Sequence, residues 1–224
     1  MKKVIQDTVH CKTAEEFLNA LSPIGKYFKS YELNAPLLFR GQGQDWPLIP
    51  SLFRENALKK ITGRKPENYQ ERRWMETKLL IHFFRLADKR GLVLPEDSQE
   101  LRTFFAKLSD DKKGASSNLQ NWRFEDKGLS VIALAQHYGV PTRLLDWTLQ
   151  SLVAAFFAGY DVYNYYNDYP PKSLLVVWAF YFPSFEKEVR HSNYLFSVRS
   201  VTAPSATNEN LKAQQGVFTL ADHL

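Results

Sequence analysis

Two short stretches of this sequence hold charged and hydrogen-bonding side chains where apolar ones would be expected. The first is Leu37-Leu-Phe-Arg-Gly-Gln-Gly-Gln-Asp-Trp-Pro47. Arg40 is a permanent cation set in an apolar run, and burying it is costly unless an anion or a set of acceptors meets it. Gly41 and Gly43 beside it would let a ligand's phosphate approach the backbone. Arg40, Gly41 and Gln42 are therefore candidates for holding a phosphate or nucleotide. The alternative for Arg40 is a structural arginine paired with a buried carboxylate such as Asp146.

The second stretch is Ala135-Gln-His-Tyr-Gly-Val-Pro-Thr-Arg-Leu-Leu-Asp-Trp-Thr148. Polar groups crowd one turn there: Gln136, His137, Thr142, Arg143, Asp146 and Thr148. A strand end rich in such groups commonly lines a pocket. His137 can donate a proton or anchor a ligand, or simply satisfy a backbone carbonyl. Asp146, between Leu145 and Trp147, calls for a cation, with Arg40 and Arg143 as candidates.

Other chemistries find little support. His10, His82, His137, His191 and His223 show no metal-ligand spacing, so no metal is expected. The single cysteine, Cys11, lies outside both motifs; it excludes an internal disulfide framework and fits a reducing compartment. There is no phosphate-binding Walker loop, no GxGxxG and no signature of a nucleic-acid-binding module. A net charge of +5 permits contact with anions without requiring it. The first residues lack the apolar run of a signal peptide. The longest apolar runs, Leu152–Ala158 and Leu174–Phe182, are too short to span a bilayer. The expected location is the cytoplasm, with no membrane partner.

The elements that must position these residues are legible in the pattern. Thr13-Ala-Glu-Glu16 is a capping box, so a helix runs from Thr13 to Leu21. Leu37–Gly41 reads as a short buried strand, followed by an irregular loop rich in glycine and proline. From about Glu67 to Gly91 the spacing is helical, with Met75, Leu79, Phe83 and Leu86 on one face and Leu80 and Phe84 beside them. Leu101–Leu108 is a shorter helical piece, and the polar segment Ser109–Asn121 reads as a surface loop. Leu129–Tyr138 is a helix stopped by Gly139 and Pro141. Arg143–Trp147 is a strand, Ser151–Tyr160 a buried helix with small residues Ala154, Ala155 and Ala158, and Leu174–Phe182 an apolar strand. Val198–Thr202 and Gly216–Leu220 are further strands. Helices fall between scattered strands without regular alternation, which favours α+β over a doubly wound sheet.

These residues carry a resemblance. LFRGQGQDWPLIPSLFR (Leu38–Arg54) and LAQHYGVPTRLLDWTLQSLVAAFFA (Leu134–Ala158) resemble the first and central motifs of the FRG-domain family, and AQQGVFTL (Ala213–Leu220) its third. Asn210 stands where members often carry arginine. The organisation this implies is an N-terminal helical segment over 1–36 and an FRG domain over 37–224, with a mainly helical insertion at about 55–130, in one compact unit. More distantly, an apolar strand ending in Arg-Gly is similar to the first motif of the arginine–serine–glutamate class of ADP-ribosyltransferases. That resemblance implies a small, split, mainly antiparallel sheet with surrounding helices, and NAD as substrate. It assigns Arg40 to the phosphates or neighbouring ribose. Asp146, Trp147 and Thr148 stand where that class has Ser-Thr-Ser, and Gln214 and Gln215 stand at its last motif, whose glutamate falls on Gly216. The catalytic candidates are then Arg40, Asp146, Thr148 and Gln214; the cofactor-binding ones are Arg40, Gly41, Gln42, His137, Thr142 and Trp147. The implied activity is ADP-ribosyl transfer to a protein or nucleic-acid target, or NAD hydrolysis, in the setting of a bacterial toxin or phage-defence effector. The alternative is a non-catalytic module recognising a nucleotide, nucleic acid or peptide.

Overall fold

A computed structural model describes residues 7–28, 37–110, 128–164, 174–181, 198–201 and 216–221, with residue 110 and the strand 198–201 described by backbone alone. In chain order the elements are α1 (Ala14–Ala20), β1 (Leu37–Gln42), a 3-10 turn (Ser51–Phe53), α2 (Ala57–Thr62), α3 (Tyr69–Lys89), α4 (Gln99–Asp110), α5 (Leu129–His137), β2 (Leu144–Thr148), α6 (Ser151–Asn164), β3 (Val176–Tyr181), β4 (Val198–Val201) and β5 (Gly216–Ala221). Helices combine with antiparallel strand pairs, so the fold is α+β. Most of the loop expected at Ser109–Asn121 lies outside the described residues.

The chain divides into two compact units, one of Met1–Trp46 with Thr148–Pro183 and one of Pro47–Trp147 with Ser184–Leu224. In the first, β1 lies between β3 and the last residue of β2. All six residues of β1 pair with β3, from Leu37 opposite Tyr181 to Gln42 opposite Val176, and Phe39 pairs with Thr148. Alternation puts Phe39 and Gly41 on one face of β1 and Leu38, Arg40 and Gln42 on the other. Helix α6 packs on the Gly41 face: a Cβ on that glycine would lie 1.8 Å from the Ala154 carbonyl oxygen and 2.8 Å from the Ala158 nitrogen. Ala154 and Ala158 are fully buried there. Small residues on both elements thus bring helix and strand backbones together. Phe28 closes edge-to-face on Phe39 at 5.5 Å, and Ser151 Oγ donates to the Leu21 carbonyl at 2.6 Å, tying the start of α6 to the end of α1. The N-terminus of α1 is capped as its sequence predicts, Thr13 Oγ1 accepting from Glu16 N at 3.1 Å. The return bond comes from one residue earlier than in the usual box, Lys12 N donating to Glu16 Oε2 at 2.7 Å.

In the second unit β5 lies between β2 and β4. Its core joins α3, α4 and α5 to β2 and β5 through Leu80, Phe84, Leu101, Phe105, Ile132, Leu144 and Leu220. Phe84 and Phe105 stack at 4.2 Å. A satellite cluster of Leu52, Leu58 and Met75 fixes the 3-10 turn and α2 against α3. Helix α3 starts at Asn68, whose side chain accepts from Glu71 N. Its inward face differs from the expected one. Leu80, Ile81, Phe84 and Ala87 are buried, whereas Leu86 is exposed and Leu79 and Phe83 are only partly covered. The stripe is turned by about one residue, because α4 and α5 pack on the side of Ile81 and Phe84.

Candidate functional site

The turn between α5 and β2 is built from its glycine outward. Gly139 has a φ of +84°, which a glycine adopts at no steric cost. It closes α5 with two reversed bonds, Gly139 N to the Gln136 carbonyl at 2.9 Å and Val140 N to the Ala135 carbonyl at 3.0 Å, the arrangement that ends many helices. The chain then passes Pro141 and enters β2 through Thr142, which is fully buried. Its backbone is clipped to the 3-10 turn: Thr142 N donates to Ser51 Oγ at 3.0 Å, and Leu52 N donates to the Thr142 carbonyl at 3.0 Å.

A chain of hydrogen bonds leads from this buried threonine to the surface. Leu144 N donates to Thr142 Oγ1 at 3.2 Å. The Thr142 hydroxyl donates to Gln136 Oε1, and Gln136 Nε2 donates to Asp146 Oδ1. The hydroxyl accepts on one side and donates on the other, so the Gln136 amide has one orientation and turns its NH2 toward Asp146. Asp146 is the exposed member of a strand whose other four residues are buried. It is therefore not the buried carboxylate that its apolar neighbours suggest. It faces solvent as an acceptor held by an amide.

The buried charge of this segment is Arg143, and its partner is Glu76 of α3. Arg143 Nε lies 2.8 Å from Glu76 Oε2, and Arg143 N donates to Glu76 Oε1 at 3.1 Å; neither side chain is exposed at all. Arg143 and Asp146 are three residues apart, an odd number, so an extended strand sends them to opposite faces. Arg143 is fully buried against Glu76, whereas Asp146 is exposed, so the carboxylate that meets Arg143 in the interior is Glu76. Burial pushes the Glu76 carboxyl above its ordinary value, and Arg143 with its backbone N–H pulls it back. The sequence reading missed Glu76. The signal was its helical phase: residues 76, 80, 84 and 87 fall on one side of α3, and all are buried.

The remaining candidates fall as follows. His137 ends α5 and is exposed, its ring edge-to-face on Tyr138 at 5.7 Å. Trp147 is buried, and its indole N–H donates to Thr219 Oγ1 at 2.9 Å. These two belong to the second unit with Gln136, Thr142 and Asp146. Arg40, Gly41, Gln42 and Thr148 belong to the first. Arg40 is half-buried, and its Nε donates to Gln42 Oε1 at 3.4 Å. Gln42 Nε2 donates in turn to the Trp46 carbonyl at 2.9 Å. Gly43 N donates to Asp161 of α6 at 3.1 Å. Gly41 faces α6, so a helix backbone fills the space expected for a phosphate on that side. Thr148 is buried, and its hydroxyl accepts from Gln150 N at 3.1 Å, shaping the entry to α6. Gln214 lies outside the described residues. No group of three or more metal-ligating side chains occurs among the described residues.

The model of the FRG domain matches residues 35–164, which takes in β1, the α5–β2 turn and α6. The chain belongs to the FRG-domain family. The FRG match thus spans Arg40, Gln136, Thr142 and Asp146 together with Glu76, the residue that neutralises Arg143. No curated protein and no solved structure matches the chain. No helix among the described residues is long and apolar enough to cross a membrane.

Proposed function

We propose that this FRG-domain chain binds a nucleotide, NAD or a close relative, in the manner of an ADP-ribosyltransferase. The observation that carries the reading is the exposed carboxylate of Asp146, held by Gln136, which is itself fixed by buried Thr142. An ionised carboxylate accepts through both oxygens, and the two adjacent hydroxyls of a ribose are matching donors. Such charge-assisted bonds are the stronger kind. Arg40 enters through the sequence resemblance, as the cation for a phosphate. Thr148 and Gln214 enter the same way, as the hydroxyl and amide of the later motifs. A role as a toxin or phage-defence effector goes with this reading.

A second reading is a binding module without chemistry. Two observations favour it: glycine stands at 216, where the transferases place their glutamate, and α6 closes the Gly41 side of β1. Calorimetry with NAD and with ADP-ribose, followed by chromatography for released nicotinamide, separates the readings. Replacing the carboxylate in Asp146→Asn removes charge-assisted bonds worth about 1.5–3 kcal/mol, so affinity should fall roughly ten- to a hundred-fold. Binding without nicotinamide release selects the module. A wild type that takes neither ligand at millimolar concentration, or an Asp146→Asn that binds equally well, ends the nucleotide reading at this carboxylate.

A further inference from the structure

Helix α6 is built with its bulk on the outside. The side it turns to β1 carries the small residues Ser151, Ala154 and Ala158. The opposite side carries Leu152, Phe156, Tyr160 and Tyr163, which are 56%, 62%, 55% and 83% exposed. At about 100° per residue these four fall within one quarter of the helix circumference, with exposed Gly159 beside them and Phe157 at the edge. Phe156 already stacks on Tyr160 at 5.7 Å. The sequence reading of α6 as a buried helix is thus half right: its apolar character runs all round, and only one side is covered within the unit.

A helix apolar on every side is normally buried on every side, and a contiguous exposed apolar patch marks an interface. The stripe has no charge of its own. The only charged residue from Ser151 to Asn164 is Asp161, which is partly buried and accepts from Gly43 N at 3.1 Å. The absence of lysine and arginine speaks against a membrane surface, since helices that lie on membranes line their polar face with them.

We propose that this stripe is the contact through which two copies of the chain pair, α6 against α6 across a two-fold axis near Gly159. A two-fold contact presents the same patch on both sides and must complement itself. An uncharged stripe meets that condition without like charges facing each other. Gly159 lies between Phe156 and Tyr163 along the stripe, and nothing approaches the place its Cβ would take. The missing side chain lets the two helix backbones come close at the axis. The area is also of the right order. Aromatic side chains cover about 150–250 Å² each, so the stripe offers on the order of 600 Å² per copy, against roughly 800 Å² per partner in a standard interface. That places the dimer at the weak, concentration-dependent end.

Sedimentation of the full chain from about 1 to 100 μM tests it, with the weight-average mass expected to climb from 26.0 kDa toward twice that value. Phe156→Glu and Tyr163→Glu change exposed positions; each should keep the circular dichroism spectrum and weaken association at least tenfold. In a Cys11→Ser background, Gly159→Cys should give a disulfide-linked dimer under mild oxidation, and adding Phe156→Glu should suppress it. A chain that stays monomeric throughout overturns the proposal, which would leave the stripe to a different protein. So does a dimer that Phe156→Glu leaves intact, or one in which position 159 does not cross-link.

Discussion

Replacing Arg143 by methionine isolates the ion pair beneath the α5–β2 turn. Methionine keeps most of the volume and removes the charge. In the wild type the Arg143 Nε–Glu76 Oε2 distance is 2.8 Å and both groups are fully buried. At an effective dielectric constant near 20, that separation corresponds to about 6 kcal/mol of attraction. Removing both ions from water offsets part of this, and breaking such a pair from one side costs about 3–5 kcal/mol. Arg143→Met should therefore lose about 3–5 kcal/mol at neutral pH, read by urea denaturation. The loss has a sign in pH. Burial already raises the Glu76 carboxyl above its ordinary value, and Arg143 is the chief group opposing that rise. Without the arginine the folded-state value climbs further. A carboxyl that binds its proton more tightly folded than unfolded makes stability fall as pH rises from the unfolded value toward the folded one, by up to about 1.4 kcal/mol per unit. The variant should thus be weaker at pH 7 than at pH 5. The double variant Arg143→Met with Glu76→Gln should recover much of the loss and flatten the pH dependence. A deficit below about 1 kcal/mol, or one equal at pH 5 and pH 7, would refute the account of Arg143 as the cation that holds Glu76 ionised.

Three further outcomes follow from the packing and the caps. Gly41→Ala places a methyl 1.8 Å from the Ala154 carbonyl oxygen, so α6 and β1 must move apart; a loss of about 1–3 kcal/mol or more is expected in thermal melts. Leu144→Ala empties a site that is 1% exposed in the main core and should cost about 2–5 kcal/mol by denaturant titration. Glu71 accepts from Glu67 N and pairs with Arg64, which together hold its carboxyl below the ordinary 4.5. That stabilisation is present above the unfolded value and fades as pH falls through the folded one. A carboxyl NMR titration of the folded chain should give Glu71 a midpoint under 4.5, and Glu71→Gln should remove the corresponding acid-side change.

Signals that act over a few residues were readable in the sequence. Thr13 caps α1 through its own side chain, as its capping box predicts. Gly91 and Gly139 stop α3 and α5 within a residue of where their positions suggest. The strand over Leu37–Gln42 follows from its apolar run, and that of β2 from Leu144-Leu-Asp-Trp. The short α2 was not anticipated: Asn56, just before it, has a φ of +60° and offers no side-chain cap, so it lacks a start signal and rests on Leu58 packing against Leu52 and Met75. Signals that depend on a distant partner were not readable. Which side of α6 would be covered depends on Gly41, more than a hundred residues earlier. Glu76 becomes a buried carboxylate only because a strand 67 residues later brings Arg143 to it.

The same limit explains the site. A charge in an apolar strand has two physical resolutions: it meets an opposite charge in the interior, or it reaches water. The segment Arg143–Asp146 contains one instance of each, and composition alone cannot say which residue takes which. Parity in an extended strand can say that the two take opposite sides. Glu76 claims Arg143, and Asp146 is the one residue of β2 that reaches solvent. Gln136, ten residues before Asp146, then turns a surface aspartate into a fixed acceptor by linking it to the buried Thr142 hydroxyl. That link makes Gln136 the sharper probe of binding. Gln136→Leu leaves the carboxylate charge in place and releases its orientation. If Asp146 receives a ligand through fixed geometry, Gln136→Leu should weaken ADP-ribose binding nearly as much as Asp146→Asn. If charge alone matters, calorimetry will find Gln136→Leu close to wild type, and the hydrogen-bond chain is structural.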